Sequence, residues 1–596
     1  MTSNRMTKGK TAVLLLLLGL MVFAAGCSEK KAVKPEDVVS QGILQGLSTD
    51  KAAYRPGEPV SFKLELKQAA SGAKALVRYR YLNEVIAEEE VAIEGQQAAW
   101  EWSPPKDDGK GYMAEVYLSD KGEVKDHLNI AVDVSSDWSK FPRYGYLADF
   151  GPMSGEERTA VIERLNRFHI NGIQFYDWQY KHQQPIKMEG GKPAAEWVDI
   201  ANRPVAFDTV KGYIDLAQAR NMKAMNYNLL FGAYEDAEQD GVKKEWGLYK
   251  DPTQTNQDKH PLPDSWASDI MLYDPSNPEW QQFLVDREIE AFKYLPFDGW
   301  HVDQLGDRGP LWDGTGKSVK LPQGYVSFLK AAKERLDVDY VMNAVAQYGQ
   351  AFLATQAPLE FLYTEVWSGT PQYKNLKEII DQNYKFSKNQ MNTVLAAYMN
   401  YDLADSPGEF NTPGVLLTNS VIFASGGSHL ELGENMLAKE YFPNKNLTVP
   451  AELEENLVRY YDFLVAYQNV LRDGLEESEL EVRASGDVEI SAEAEQGKVW
   501  SFAKRKDGRD IVQFINFTDA TTMEWNDGAG TQAEPAERRD VAVSVKTDKK
   551  VSGIWVASPD YYNGSPVELA FEQKDGQVFF KLPNLKYWDM AVIDYK

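Results

Sequence analysis

The chain has 596 residues, and its 64 Lys and Arg against 89 Asp and Glu give it a formal net charge of -25. This length predicts three or four domains, each with enough chain to bury a core. Because the charge is strongly negative, sequence-independent attraction to nucleic acid is excluded as its role. The composition fits a neutral or cationic partner better than it fits a phosphate-bearing one.

The first 27 residues have the pattern of an export signal. Arg5, Lys8 and Lys10 precede the apolar run "TAVLLLLLGLMVFAAG", which is short for a membrane span, and Cys27 follows. The stretch "AAGC" resembles the lipobox of bacterial lipoproteins, which implies acylation of Cys27 and a lipid anchor as the only membrane contact. We therefore expect an extracytoplasmic protein. Ala24 stands where Leu is usual, so a soluble secreted form and a plain signal peptide remain open.

Cys27 is the only cysteine, which excludes an intrachain disulfide, a cysteine zinc site and a cysteine nucleophile in the folded part. Residues 28–42 form a predicted charged linker. From 43 to 138, alternating runs such as "VSFKLELK" and "ALVRYRYL" are separated by the turn signals "RPGEP" and "KDDGKG". This spacing predicts an immunoglobulin-like β-sandwich.

From 139 to 478, strand-like runs alternate with helix-length segments. The runs are "RYGYLADF", "GIQFYDW", "KAMNYNLLF", "GWHVDQLG", "YVMNAV", "FLYTEVW", "TVLAAYMN" and a last one near "GGSHLELG". Such units predict a (β/α)8 TIM barrel. Short runs of alternating apolar and polar residues return from 479 to 596, and they predict a C-terminal β-sandwich. The expected fold is multidomain, a central barrel flanked by two sandwiches.

Two barrel strands place a carboxylate at their carboxyl ends, where the reacting groups of such barrels lie. In "GWHVDQLG", Trp300 and Val302 share one face, and His301 and Asp303 share the other. In "FLYTEVWSG", Glu365 shares a face with its aromatic neighbours at 363 and 367. Two carboxylates in one aromatic cleft are what cleavage of a glycosidic bond requires. The alternative is an ion pair with a basic neighbour such as Arg308.

Four stretches together resemble glycoside hydrolase family 66, the dextranases and cycloisomaltooligosaccharide glucanotransferases. They are "FYDWQYKHQQPI" (175–186), "GWHVDQLGDRG" (299–309), "YTEVW" (363–367) and "SHLELGENML...EYFPN" (428–444). The resemblance implies a retaining enzyme for α-1,6-linked glucan, with Asp303 as nucleophile and Glu365 as general acid/base. The carboxyl groups should then lie about 5 to 5.5 Å apart. Asp303 should stay ionised while Glu365 keeps its proton.

Cyclising members of that family carry a carbohydrate-binding module inserted late in the barrel. The chain between Glu365 and Asn456 has no room for one. We therefore expect an endo-dextranase, with some transglycosylation through the same covalent intermediate. A cycloisomaltooligosaccharide-forming glucanotransferase is the alternative.

Further residues at the predicted barrel mouth are candidates for substrate binding. Each has an alternative role, which is to hydrogen-bond neighbours without touching substrate. The candidates are Asp177, Tyr180, His182, His301, Trp367, Tyr398, Asn400, His429 and Glu431.

Two other classes of function remain open at this stage. A metal-dependent hydrolase would use ligand types such as His301, Asp303, Glu365 and His429, although no H-E-x-x-H motif is present. A non-catalytic glucan-binding lipoprotein would have two α/β lobes joined by a hinge. No organic cofactor or dedicated metal is expected. A structural Ca²⁺ on an acidic loop such as "DPTQTNQD" (251–258) is not decided by sequence.

Overall fold

The computed structural model describes residues 33–70, 72–367 and 369–596, so the predicted export signal and Cys27 lie outside the described part. At its centre is an eight-stranded parallel sheet whose strands follow one another in chain order. The strands are β1 Tyr144–Leu147, β2 Gly172–Phe175, β3 Lys223–Leu229, β4 Gly299–Asp303, β5 Asp339–Val345, β6 Leu362–Glu365, β7 Thr393–Ala396 and β8 Gly427–His429.

A helix follows each strand along the chain. The helices are α1 Gly155–Arg167, α2 Phe207–Gln218, α3 Pro278–Tyr294, α4 Leu321–Arg335, α5 Gln350–Gln356, α6 Tyr373–Phe386, α7 Thr412–Ala424 and α8 Ala451–Ala466, and a short α9 spans Gln468–Leu471. The Tyr146 amide, on β1, donates to the Leu432 carbonyl at 3.0 Å, just beyond β8. The parallel sheet is therefore nearly closed, as a (β/α)8 barrel requires.

Local sequence explains where several helices begin. Ser154 and Glu157 form a reciprocal capping box at α1. Asn277 caps α3, and its side chain accepts hydrogen bonds from two backbone amides of the first turn. α7 is mostly apolar with no single polar face, and nearly all of it is buried. Such a helix is covered on every side, here by the barrel and by the C-terminal part of the chain.

Alternation along the strands divides the barrel into an inside and an outside. On β4, Trp300 and Val302 pack among the residues of α3 and α4. His301 lies inside the barrel, where its ring faces Tyr144, Tyr227 and Tyr363. The predicted division of this strand into a helix face and an interior face is what the structure shows.

Two antiparallel sheets precede the barrel and share one apolar core. One contains Leu44–Thr49, Val60–Leu66 and Gln97–Trp102, and the other contains Glu84–Ala92, Lys74–Tyr81, Lys110–Asp120 and Glu123–Val134. The described part of the predicted linker includes the 3-10 turn Pro35–Asp37 and lies against the second sheet, where the Gln41 amide donates to the Lys125 carbonyl.

Two more sheets follow the barrel and share another apolar core, and they are antiparallel except where Ile490–Ser491 pairs with Val499–Lys506. The first contains Glu476–Ser478, Ile490–Ser491, Val499–Lys506, Arg509–Asn516, Trp588–Tyr595, Val551–Ala557 and Val567–Glu568. The second contains Val482–Ser485, Arg538–Lys546, Gln577–Leu585 and Phe571–Lys574, and a 3-10 turn spans Tyr562–Gly564. The domain limits set out above remain predictions.

The loops at the carboxyl ends of the barrel strands carry short elements of their own. The strands are Met188–Glu189, Lys192–Pro193, Glu196–Val198, Pro204–Ala206, Gly232–Tyr234, Lys259–His260, Ile270–Leu272, Leu311–Trp312, Ser318–Val319, Gly408–Glu409 and Leu447–Thr448, and the 3-10 turns are Ala237–Asp240, Lys244–Trp246 and Leu403–Asp405. These hairpins and turns build the walls around the barrel mouth.

Buried charges join the N-terminal sheets to the barrel. Asp133 and Arg143 form a fully buried ion pair at 2.8 Å. On α8, Asp462 accepts from the Ala131 amide at 2.9 Å and pairs with Arg167 and with His169, both at 2.8 Å. Removing one partner of such a group leaves an uncompensated buried charge, so these contacts fix the sheet against the barrel.

The two-lobed architecture expected of a solute-binding protein is absent from the described residues, which contain one parallel barrel sheet. That alternative is therefore contradicted. Among residues 33–70, 72–367 and 369–596, no helix has the length and apolarity needed to cross a membrane.

The close approach of the N-terminal sheet to α8 gives a test of the fold. A Cβ on Gly111 would lie 1.9 Å from the Val465 carbonyl oxygen. We expect Gly111→Ala to lower the free energy of unfolding by about 1–3 kcal/mol, because the sheet must move away from the helix. Thermal unfolding measures the effect. Gly553→Ala is the control, since nothing lies within 4 Å of its Cβ position. Equal melting temperatures for the two variants would contradict this packing.

Candidate active site

A cavity of about 460 Å³ opens at the carboxyl ends of the barrel strands. Side chains from β2 to β6, and from the loops after β7 and β8, line it. Those used below are Tyr176, Asp177, His182, Tyr227, His260, Trp266, His301, Asp303, Gln304, Arg308, Asn343, Glu365, Trp367, Tyr398, Tyr441 and Phe442. The position is the one at which (β/α)8 barrels place their reacting groups.

Asp303 is the last residue of β4, and three hydrogen-bond donors hold its carboxylate. Tyr227 on β3 donates its hydroxyl to Oδ2 at 2.6 Å. The amide of Asn343 on β5 donates to Oδ1 at 2.9 Å, and the Gln304 backbone amide donates to the same oxygen at 2.8 Å. Burial raises the pKa of Asp303, and these donors oppose the rise by stabilising its ionised form.

Glu365 is the last residue of β6, and its carboxyl group is buried. The Tyr398 hydroxyl donates to Oε1 at 2.5 Å, and the Asn343 amide donates to Oε2 at 3.1 Å. Burial and the neighbouring Asp303 charge together raise the pKa of Glu365 to about 7. A carboxyl group with such a pKa retains a substantial protonated fraction near neutral pH, which suits a general acid.

One amide nitrogen contacts both carboxyl groups. Because Asn343 Nδ2 lies 2.9 Å from an Asp303 oxygen and 3.1 Å from a Glu365 oxygen, these two oxygens are at most about 6 Å apart, the sum of the two distances. This limit lies below the roughly 6.5–9.5 Å typical of inverting glycosidases. It accommodates the predicted spacing of about 5 to 5.5 Å.

The floor of the cavity is aromatic and uncharged. His301 is buried, and its Nδ1 lies 3.3 Å from the Tyr144 hydroxyl. Burial lowers the pKa of His301 to about 3, so the ring is neutral at physiological pH. It lines the cavity beside Asp303, where the sequence predicted it.

Four other predicted residues also line the cavity: Asp177, His182, Trp367 and Tyr398. Asp177 adopts a left-handed backbone conformation with a φ of 51°, and burial raises the pKa of its carboxyl group to about 7. His182 Nδ1 lies 2.9 Å from Asn228 Oδ1. The Trp367 ring packs at 5.6 Å from that of Tyr398. Their contact with substrate stays a prediction.

Two predicted substrate-binding residues lie elsewhere. Tyr180 is absent from the cavity lining, and its ring lies beside the ammonium groups of Lys181 and Lys187. The left-handed turn at Asp177 ends the strand alternation, so positions after it do not continue the β2 face. Asn400 is fully buried, where it donates to the Asp527 carbonyl at 2.8 Å and joins the barrel to the C-terminal part.

His429 and Glu431 also lie outside the cavity. They face the same side, as predicted, but that side carries the helices. Both His429 nitrogens are engaged, by Asn419 Oδ1 and the Ala397 carbonyl, each at 2.7 Å. Glu431 accepts from Asn419 at 2.8 Å and from the Tyr461 hydroxyl at 3.0 Å. The intervening Leu430 takes the barrel-interior position.

The groups named in the two alternatives based on charge have other positions and partners in the structure. Arg308 forms a two-pronged pair with Asp258 at 2.7 and 2.9 Å, so this pairing replaces one with Asp303 or Glu365. Among the described residues, no three side chains of metal-ligating type come together. Asp251, in the acidic loop considered for Ca²⁺, accepts hydrogen bonds from its own turn at Thr253 and Asn256.

Sequence reasoning missed Tyr227 and Asn343, which hold the two carboxylates. Both lie on predicted strands, and the alternation used for Asp303 would have placed them inside the barrel. Trp266 and Tyr441 were missed for another reason. Their rings lie 5.4 Å apart, but each residue belongs to a loop, and a loop has no hydrophobic periodicity from which a side-chain direction could be predicted.

Two buried carboxyl groups that share one amide donor, in a cavity with aromatic walls, define a site for cleaving glycosidic bonds. Comparison with known proteins agrees. The chain matches the model of glycosyl hydrolase family 66 over residues 49–592. The protein therefore belongs to glycoside hydrolase family 66 and is an enzyme that acts on glycosidic bonds.

The individual relatives have low sequence identity to this chain. A cycloisomaltooligosaccharide glucanotransferase of Niallia circulans is 26% identical over 97% of this chain and 74% of its own length. A dextranase of Streptococcus salivarius is 24% identical over 81% of this chain and 67% of its own. A crystal structure of a Paenibacillus sp. cycloisomaltooligosaccharide glucanotransferase complexed with cycloisomaltoheptaose superposes with a TM-score of 0.86 at 26% identity, covering 92% of this chain and 99% of that one.

The hydrogen bond from Tyr398 gives a prediction about pH. This bond lowers the pKa of Glu365 against the effect of burial. In Tyr398→Phe the pKa of Glu365 should rise, so the protonated acid persists to higher pH. The basic limb of the kcat/KM profile should therefore begin near pH 7 in the parent and shift upward in the variant. Tyr294→Phe, on α3, is the control. A basic limb that stays in place or moves downward would contradict the assignment of Glu365.

Proposed function

We propose that the protein hydrolyses α-1,6-glucosidic linkages of dextran with retention of configuration. Asp303 is the nucleophile and Glu365 is the general acid/base in this proposal. The observation that supports it best is the Asn343 amide, which holds an oxygen of each carboxyl group within about 6 Å of the other. A nucleophile and an acid at this separation can act on opposite ends of the same glycosidic bond.

The reaction proceeds in two displacements. An Asp303 oxygen attacks the anomeric carbon, the bond to the departing chain breaks, and Glu365 gives its proton to the leaving oxygen. The product is a glucosyl ester on Asp303. Glu365, now ionised, takes a proton from water, which attacks the same carbon and releases the carboxylate. Tyr227, Asn343 and the Gln304 amide hold Asp303 in the attacking position.

The names of the relatives support an α-1,6-glucan as substrate. Two are named cycloisomaltooligosaccharide glucanotransferase and one is named dextranase. A solved relative holds cycloisomaltoheptaose. An isomaltooligosaccharide or dextran chain, lying across the aromatic cavity, is therefore the proposed substrate.

Plain hydrolysis is preferred over cyclisation because the late barrel loops are short. Residues 430–450 connect β8 to α8 and contain one two-residue strand, Leu447–Thr448. No additional module is inserted among residues 369–456. The glucanotransferase activity in the names of two relatives keeps cyclisation as the second candidate, because a sugar hydroxyl can replace water in the second displacement.

We also propose that the enzyme is exported and held at the membrane by a lipid on Cys27. This proposal rests on the sequence of the first 27 residues. The charged linker and the two sandwiches would then separate the barrel from the membrane surface.

The first test is release of reducing ends from dextran by residues 28–596, with starch and cellulose as controls for linkage. We expect release from dextran alone. Asp303→Asn and Glu365→Gln should each lower it by several orders of magnitude, because one loses the nucleophile and the other the acid.

The matched control variants are Asp208→Asn on α2 and Glu334→Gln on α4, which change the same chemical groups at exposed positions. These should behave like the parent. If Asp303→Asn or Glu365→Gln retained parental activity, the assignment of that residue would be wrong. Release from starch instead of dextran would contradict the proposed linkage.

The second test is the configuration of the first product. A glucosyl ester on Asp303 inverts the anomeric carbon once, and hydrolysis inverts it again, so the new reducing end should appear as the α-anomer. Proton NMR during the first minutes, before mutarotation, distinguishes the anomers. Initial β-anomer would contradict a nucleophilic Asp303.

A further inference from the structure

A second cavity lies beside the catalytic one, at the same end of the barrel. Its volume is about 360 Å³, and it is bordered by the end of β1, the loop before α2 and the loop before α8. This size is within the range of sites that bind small molecules. Neither the catalytic residues nor the proposed reaction uses it.

The two cavities share one wall, made by Tyr441 and Phe442. Phe442 is fixed by stacking on Tyr176 with ring centres 4.3 Å apart. Tyr441 is only half-buried, and its ring lies 5.4 Å from that of Trp266 and 6.0 Å from the Arg203 guanidinium carbon. The two cavities are therefore neighbours whose linings have these two aromatic side chains in common.

The lining of the second cavity suits a neutral, hydroxylated ligand. Arg203 pairs with Asp199 at 2.7 Å, which fixes a planar donor group in the wall. Asp149 and Lys445 lie at the exposed rim. With Asp199 and Glu434, the wall has three carboxylates and two cationic groups, which disfavours an anion such as phosphate. Polar side chains with one aromatic face fit a sugar.

We propose that the second cavity is an accessory subsite for further glucosyl units of the same chain whose scissile bond lies between Asp303 and Glu365. This inference rests on the proposed α-1,6-glucan substrate. The chain passes Tyr441, and its distal hydroxyl groups bind to Asp149, Arg203 and Lys445. The subsite selects longer isomaltooligosaccharides over short ones, because only a chain of sufficient length reaches both cavities.

The test measures binding, so that it does not depend on turnover. Affinities of isomaltooligosaccharides of two to eight units are measured by titration calorimetry on Asp303→Asn. We expect affinity to increase with length. Adding Asp149→Ala and Lys445→Ala should lower the affinity for the longest ligands about ten-fold, because two or three hydrogen bonds are lost. The affinity for the shortest ligands should stay unchanged.

Tyr441→Ala is a second variant, and it should reduce the binding of longer ligands more than that of shorter ones. The control is Lys192→Ala, an exposed residue on the loop after β2 that lines neither cavity. Melting temperatures equal to the parent's confirm that the variants fold.

The outcomes separate the two proposals. Affinity independent of length, or equal loss for short and long ligands in the variants, would overturn the accessory subsite even if dextran were hydrolysed. Length-dependent binding that the rim variants abolish would support the subsite. If the parent bound in this way but cleaved no dextran, the proposed hydrolysis would fail and the sugar-binding subsite would stand.

Discussion

The amide group of Asn343 is the contact on which the catalytic arrangement depends. It donates to two carboxyl groups that, ionised together in a buried site, would repel each other strongly. The barrel supplies the geometry, because β4, β5 and β6 are adjacent parallel strands. Val302 pairs with Met342, so Asp303 lies level with Asn343, and Glu365 pairs with Val345, which shares a face of β5 with Asn343. The unequal distribution of donors then resolves the repulsion. Asp303 receives three donors and Glu365 receives two, and burial together with the Asp303 charge raises the pKa of Glu365 to about 7.

Such an arrangement is unfavourable for folding and useful for catalysis. Burial of Asp303, Glu365 and Asp177 in one cavity raises the pKa of each carboxyl group. A protein selected only for stability would fill this space with apolar side chains. The surrounding structure tolerates the strain because fully buried packing between the sheet and its helices, including the apolar α7, stabilises the barrel independently of its mouth.

Sequence reasoning succeeded where a regular period exists and failed where the backbone leaves it. Strand alternation placed Asp303 and His301 on the interior face and Trp300 on the helix face. It also placed His429 and Glu431 on one face of β8 and its extension. Alternation does not say which face points into the barrel, and in the structure the interior position belongs to Leu430. Beyond the strand ends, left-handed residues such as Asp177 and Asn400 redirect the chain. No local pattern encodes where the next side chain points, so Tyr180 was misplaced and Trp266 was missed.

The contact of Asp462 with Ala131 has a consequence for the order in which the molecule is made. These residues are 331 positions apart, so at about 5–20 residues per second the N-terminal sheet waits on the order of tens of seconds for α8 to be synthesised. Along its last strand, Ile130 and Val132 face the core of the sheets, whereas Asn129 and Asp133 lie on the side that the later chain covers. The surface left uncovered in the meantime therefore carries an amide and a carboxylate between its small apolar positions. Water can solvate these groups, and this lowers the tendency of the nascent chain to aggregate before α8 has been synthesised.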